Sequence, residues 1–168
     1  MKKIISIFIF LLLLVGCSLS NTPTSKVEDL LTKYQTLDKD IVDGINNILE
    51  EENFTSIQKD RYKKIIEKQY RNLSYEIKNE RIDGDTATIT TEIEVIDYKK
   101  IINNVNNKYQ GNDNYTVEEY NNTKLDNLEK AKDKVKYTID FEVKKDKDSN
   151  WYLTSLSNET IKKIQGMY

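Results

Sequence analysis

The chain has 168 residues, enough for one domain, and 32% of them are charged, with 26 basic against 28 acidic side chains, so no basic field points to nucleic acid. It contains no histidine and one cysteine, which excludes histidine triads, HExxH metal chemistry, cysteine-rich zinc sites and any internal disulfide. A two-carboxylate or tyrosine-based site remains open on composition, and no cofactor is expected.

Lys2 and Lys3 form a short positive start, and from Ile4 to Val15 only Ser6 is polar. That run is too short to cross a hydrocarbon core, which takes roughly 20 apolar residues, and it fits a secretory leader. The stretch ends in Leu14-Val15-Gly16-Cys17, which resembles the lipobox of bacterial lipoproteins. The resemblance implies a diacylglyceryl thioether on the Cys17 sulfur, cleavage between Gly16 and Cys17, and a fatty-acylated protein held on the extracytoplasmic face of the cell membrane. Two or three acyl chains, at about 0.8 kcal/mol per buried CH₂, anchor firmly where one would bind reversibly. Loss of the leader leaves 24 of the 26 basic residues against 28 acidic ones, so electrostatic capture by anionic lipid is not expected. The expected organisation is a leader over 1–16, a polar tether over 17–25 holding the only proline, and a single domain over 26–168. The N-x-S/T spellings at Asn53, Asn72, Asn114, Asn121 and Asn158 reflect asparagine-rich composition and are assigned no glycans.

Ser25-Lys-Val-Glu28 spells a capping box, and Val27, Leu30, Leu31, Tyr34, Leu37, Ile41, Ile45, Ile48 and Leu49 follow at helical spacing, with a break expected near Asp38 or Gly44. The acids Glu50, Glu51 and Glu52 oppose the dipole of a helix end and argue for a stop there. Thr55-x-x-Gln58 starts a second segment with Ile57, Arg61, Tyr62, Ile65, Ile66 and Tyr70 on its inner stripe. The period then falls to two. Leu73, Tyr75 and Ile77 precede a hairpin turn at Asp83-Gly84-Asp85, and Ala87, Ile89, Thr91, Ile93 and Val95 follow on one face. Asp97 is expected to cap a helix carrying Tyr98, Ile101, Ile102, Val105 and Tyr109 inward. "QGNDN" breaks it, and Thr116-x-x-Glu119 opens another helix with Val117, Tyr120, Leu128 and Ala131. Alternation returns in Val135, Tyr137, Ile139, Phe141 and Val143. The turn "KDKDSN" leads to a strand over "WYLTSLS", and a short tail helix carries Ile161 and Ile164.

Segregated helices and antiparallel strands predict an α+β domain, with helices packed on one face of a curved sheet; about 140 residues suffice for a real core. "QYRNLSYEIKNERIDGDTATITTEIEVIDY" and the terminal "NWYLTSLSNETIKKIQG" resemble nuclear transport factor 2-like (cystatin-like) domains of secreted bacterial lipoproteins. That resemblance implies helices set in the concavity of a bent antiparallel sheet, a cystatin-like roll, around a cone-shaped pocket.

Asp146-x-Asp148-x-Asn150 begins like a calcium loop, but Trp151 and Ser157 stand where glycine and glutamate are required, so it reads as a polar turn. Trp151 is expected to pack in the sheet, with stacking on a sugar as the other reading. The 11 tyrosines are the most suggestive feature. Tyr34, Tyr62, Tyr70, Tyr75, Tyr98, Tyr109 and Tyr137 fall on inward stripes, and Tyr34, Tyr62, Tyr70, Tyr98 and Tyr137 are the candidate pocket residues, with ordinary core as the competing reading. The functional expectation is a membrane-anchored, non-catalytic binding module whose partner is an envelope protein or a small hydrophobic ligand. The alternative is a small pocket enzyme of the same fold pairing a tyrosine with Asp38, Asp40, Asp43 or Asp97. A solute-binding lipoprotein serving a transporter is a third reading, against which a single small domain lacks the usual two closing lobes.

Overall fold

A computed structural model describes residues 21–111 and 114–168. The lipobox residues Leu14, Val15, Gly16 and Cys17, and the leader they end, lie outside the described residues. The chain forms α1 (Pro23–Thr36), α2 (Lys39–Glu51), α3 (Ser56–Arg71), β1 (Ser74–Asp83), β2 (Thr86–Ile96), α4 (Tyr98–Tyr109), α5 (Val117–Lys130), β3 (Lys134–Lys145), β4 (Trp151–Leu153) and α6 (Asn158–Ile164). It is an α+β fold: the four strands make one antiparallel sheet in the order β1-β2-β3-β4, with the α4–α5 pair inserted between its two central strands.

The first helix starts earlier than Ser25 predicts. Thr22 is its N-cap and Pro23 its first residue, and Ser25 serves as the third residue of a box in which each side chain bonds the other's backbone N–H. The helix and its cap therefore reach back into the expected tether. Asn21 accepts from Trp151 N–H at 2.8 Å and its amide donates to Ser149 O and Asn150 Oδ1, both at 3.3 Å, fastening the start of the chain to the β3–β4 turn. Of the two expected break points the chain uses Asp38. Leu37 turns left-handed at φ 54°, and Asp38 caps α2 by accepting from Asp40 N–H.

α1 lies over the sheet and touches all four strands. Val27, Leu31 and Tyr34 meet Ala87, Ile89, Ile93 and Val95 of β2 and Ile139, Phe141 and Val143 of β3 in one core. The opposite sheet face is wet and charge-laddered: Lys134 pairs with Glu94 at 2.9 Å, Lys136 with Glu92 at 2.9 Å, and Thr90 donates to Asp140 at 2.7 Å. The exposed β1 edge is blunted by a bulge between Ile77 and Asn79 and by Glu76, Lys78, Glu80 and Arg81, features that discourage pairing with another chain.

α3 is joined to α5 by a fork. Arg61 donates to Glu129 at 2.8 and 3.0 Å and to Asp126 at 2.6 Å, which holds the Glu129 carboxyl below its ordinary range. At its other end α3 is fixed to β2 by Gln69, whose buried amide donates to Ile96 O at 2.9 Å and accepts from Ile96 N–H at 3.0 Å. Three expectations give way. Ile57 and Val117, placed on inner stripes, are 72% and 62% exposed, because each sits in a helix's first turn, beyond the reach of the neighbouring element. The last strand is three residues long: after Thr154 N–H bonds Glu142 O at 3.0 Å the chain leaves the ladder, and Ser157 caps α6.

Candidate functional site

Of the five tyrosines expected to line a pocket, the structure buries four in the core. Tyr34 and Tyr70 meet edge to face with centroids 4.9 Å apart, joining α1 to α3. Tyr62 packs likewise on Phe54 at 5.3 Å, with the Lys124 ammonium above both rings. Tyr98 is fully buried, and its hydroxyl donates to Ile65 O at 3.1 Å. Burial pushes the Tyr34 hydroxyl up to about 12, and pushes Tyr62 and Tyr98 up further. Tyr137 stands apart from them on β3, half-buried, donating to Tyr168 O at 3.1 Å. The gap bounded by Ile66, Gln69, Tyr70, Tyr98, Gln165 and Met167 has no room for a water molecule. Tyr34, Tyr62, Tyr70 and Tyr98 thus pack in the core, with the Tyr98 hydroxyl on backbone and the Tyr62 hydroxyl 4.0 Å from Met167 Sδ.

The acids expected as their partners are engaged elsewhere. Asp38 and Asp97 cap α2 and α4, Asp43 pairs with Lys39, and Asp40 lies 3.7 Å from Lys33. Asp146 accepts from the backbone N–H groups of Asp148 and Asn150, both at 2.9 Å, which lowers its carboxyl pKa and makes the "DKDSN" stretch a self-bonded turn. Among the described residues no group of three or more acidic or cysteine side chains is placed to hold a metal. Trp151 is buried against the sheet with Lys145 Nζ 4.8 Å above its ring, so its face is covered.

A second tyrosine group, two of whose three members stand on predicted stripes, does open to solvent. Where α4 ends and α5 begins, Tyr109, Tyr115 and Tyr120 converge with centroids 4.5 Å (Tyr109–Tyr115), 5.5 Å (Tyr109–Tyr120) and 6.2 Å (Tyr115–Tyr120) apart. With Asn106 and Gln110 they line a cleft of about 340 Å³. The rings are positioned from behind: Tyr109 shares a 2.8 Å hydrogen bond with Thr123, and Tyr120 donates to Asn106 Oδ1. Burial, then the nearby Tyr115 and Glu52, raises the Tyr120 pKa, so this hydroxyl stays protonated and able to donate. Of these five residues only Tyr109 and Tyr120 stand on a predicted stripe. A signal is present nonetheless, since Tyr109 and Tyr115 flank the "QGNDN" break and a reversal there brings their rings together.

Among the described residues no helix is long and apolar enough to cross a membrane. No family model and no curated protein matches the chain. Among solved structures it is similar to a candidate lipoprotein of Bacillus subtilis, ycdA, at 16% identity and a TM-score of 0.43, covering 85% of this chain and 46% of that one. The chain thus spans about half the length of that structure.

Proposed function

We propose that the protein is a lipid-anchored, extracytoplasmic module of the cell envelope that binds rather than transforms its ligand. The observation that carries the reading is the spelling Leu14-Val15-Gly16-Cys17 at the end of a leader-like apolar run. Three residues, 18–20, separate the proposed acyl-cysteine from Asn21, and the four Cα steps between them reach at most about 14 Å. Because Asn21 is fastened to the β3–β4 turn, that turn and the neighbouring β1–β2 turn, joined to β3 by Lys145 N–H to Asp85 O at 2.9 Å, would sit nearest the bilayer. Binding rather than catalysis is supported by the use of Asp38, Asp40, Asp43 and Asp97 in caps and surface ion pairs.

Metabolic labelling with a fatty-acid probe tests the anchor. The wild-type chain should take up label, fractionate with membranes and be accessible to external protease, whereas Cys17→Ser should accumulate as an unlabelled precursor. Label in Cys17→Ser, or wild-type chain free in the cytosol, would overturn the reading.

A further inference from the structure

We propose that the end of the sheet formed by the β1–β2 and β3–β4 turns docks on the lipid headgroups of the bilayer, with Tyr152 and Ile82 as its apolar contacts. This inference deepens the anchored-module reading and rests on it. The occupant follows from the length of chain between the lipid and the fold: four Cα steps, at most about 14 Å, join the proposed acyl-cysteine to Asn21. Asn21 is bonded in turn to the backbone N–H of Trp151, the residue before Tyr152. So short a tether keeps this end beside the bilayer at a high effective concentration, where even weak contacts are populated. Tyr152 is 47% and Ile82 53% exposed. Ile82 pairs with Ala87 on the inner face, and Tyr152 pairs with Lys144, the partner of Thr86 on the outer face, so the two stand at nearly one height on opposite sides of the sheet. A ring with a hydroxyl suits the boundary between hydrocarbon and headgroups, and the isoleucine adds apolar area. The platform is set before contact, because Lys145 N–H to Asp85 O joins the two turns and Asp146 closes its own turn on the N–H groups of Asp148 and Asn150. Over residues 80–86 and 142–152 six acidic side chains accompany four basic ones, so attraction to anionic lipid does not drive the contact.

Paramagnetic-relaxation NMR on the full acylated chain in phosphatidylcholine nanodiscs tests the contact, with a gadolinium chelate carried on a small fraction of the lipid headgroups. The amides of Thr86 and Lys144 should show an enhancement at least about tenfold that of Glu94 and Lys136, which lie eight residues, or about 26 Å, farther along the strands. Tyr152→Ser should lower the enhancement at Lys144 about threefold and Ile82→Ser about twofold, as the docked population falls. Tyr168→Ser should leave it as in wild type: that ring is 51% exposed but packs on Tyr137, seven residues along β3 from Lys144. Raising salt to about 0.5 M should also leave it unchanged. The proposal falls if the Tyr152→Ser chain gives the wild-type enhancement, if salt abolishes the enhancement, or if Glu94 and Lys136 are enhanced as strongly as Thr86 and Lys144. Fatty-acid labelling of the same preparation separates the two readings. Any of these results in a labelled chain refutes the docking surface alone, and an unlabelled chain refutes the anchor and the docking surface together.

Discussion

Gly166 is the position where a single methyl group should do the most damage. It follows α6 at φ 68°, and a Cβ built there would lie 2.0 Å from Ile96 O and 2.3 Å from Gln69 Nε2. Those two atoms form the clamp that ties α3 to β2, and Gly166 O accepts from Lys99 N–H at 2.8 Å, so α4 is tied to the same point. For Gly166→Ala the left-handed backbone costs about 1–2 kcal/mol. Backbone cannot yield as a flexible side chain would, so relieving the overlap must part Ile96 O from Gln69 Nε2. Gln69 is 1% exposed and water cannot replace the lost bond, which adds roughly 1–3 kcal/mol. The sum, about 2–5 kcal/mol, is a large part of the 5–15 kcal/mol typical of a domain. Gly44 provides the internal contrast. It lies exposed within α2, and a methyl group added there would meet nothing within 4 Å, so Gly44→Ala should stabilise by about 0.5–1 kcal/mol through backbone entropy. Urea unfolding of residues 21–168, followed by circular dichroism, measures both changes against wild type. If Gly166→Ala stays within about 1 kcal/mol of wild type, or Gly44→Ala is equally harmful, the close contact inferred at the clamp is incorrect.

Two further changes test the core. Thr91 is fully buried between Ile77 and Ile139 on the inner sheet face, and its hydroxyl has no hydrogen-bond partner among the described residues. Thr91→Val should therefore raise stability by about 1 kcal/mol, seen as a melting temperature a few degrees higher; a lower one would mean the hydroxyl is satisfied. The buried tyrosines predict alkaline unfolding. Their hydroxyls titrate near 10 when unfolded, and burial raises Tyr34 to about 12 and Tyr62 and Tyr98 beyond it, so the folded state holds protons the unfolded state has lost. Stability from these groups is complete below pH 10 and falls as pH rises from 10 through 12, by roughly 1.4 kcal/mol per pH unit for each tyrosine. Tyrosinate absorbance should rise in one cooperative step together with loss of the circular-dichroism signal, and a gradual rise in a chain that stays folded would contradict it.

The features legible in the sequence are those settled within a few residues. Thr55 with Gln58 and Thr116 with Glu119 form the capping boxes their spellings predict, Asp97 caps α4, and the Asp-Gly-Asp turn closes β1 on β2 with Gly84 at φ 57°. Period-two alternation places the inner faces of β2 and β3 correctly. The start of α1 is harder because two boxes compete there. Ser25 can cap toward Glu28 or serve as the third residue for Thr22, and Pro23, whose fixed φ suits a first helical position, decides for Thr22. The length of β4 is not local at all, since it depends on where the chain must leave Glu142 to cap α6.

The tyrosines mark the limit more sharply. Tyr34, Tyr62, Tyr70 and Tyr98 stand out in the sequence because they recur on the stripes that face neighbouring elements, and a position that faces a neighbour is one that becomes covered. Helical periodicity therefore identifies core, and an aromatic found by it is more apt to be packed against another helix than held open for a ligand. Tyr34 and Tyr70 show this: they lie far apart in the chain and fill one contact between α1 and α3. An accessible aromatic must instead come from where a stripe ends and its neighbour falls away. Tyr109 closes α4, Tyr115 precedes α5, and Tyr120 follows in its first turns, so the reversal between the helices stacks three rings beyond the reach of the sheet. The same geometry that leaves Val117 exposed leaves this cleft open.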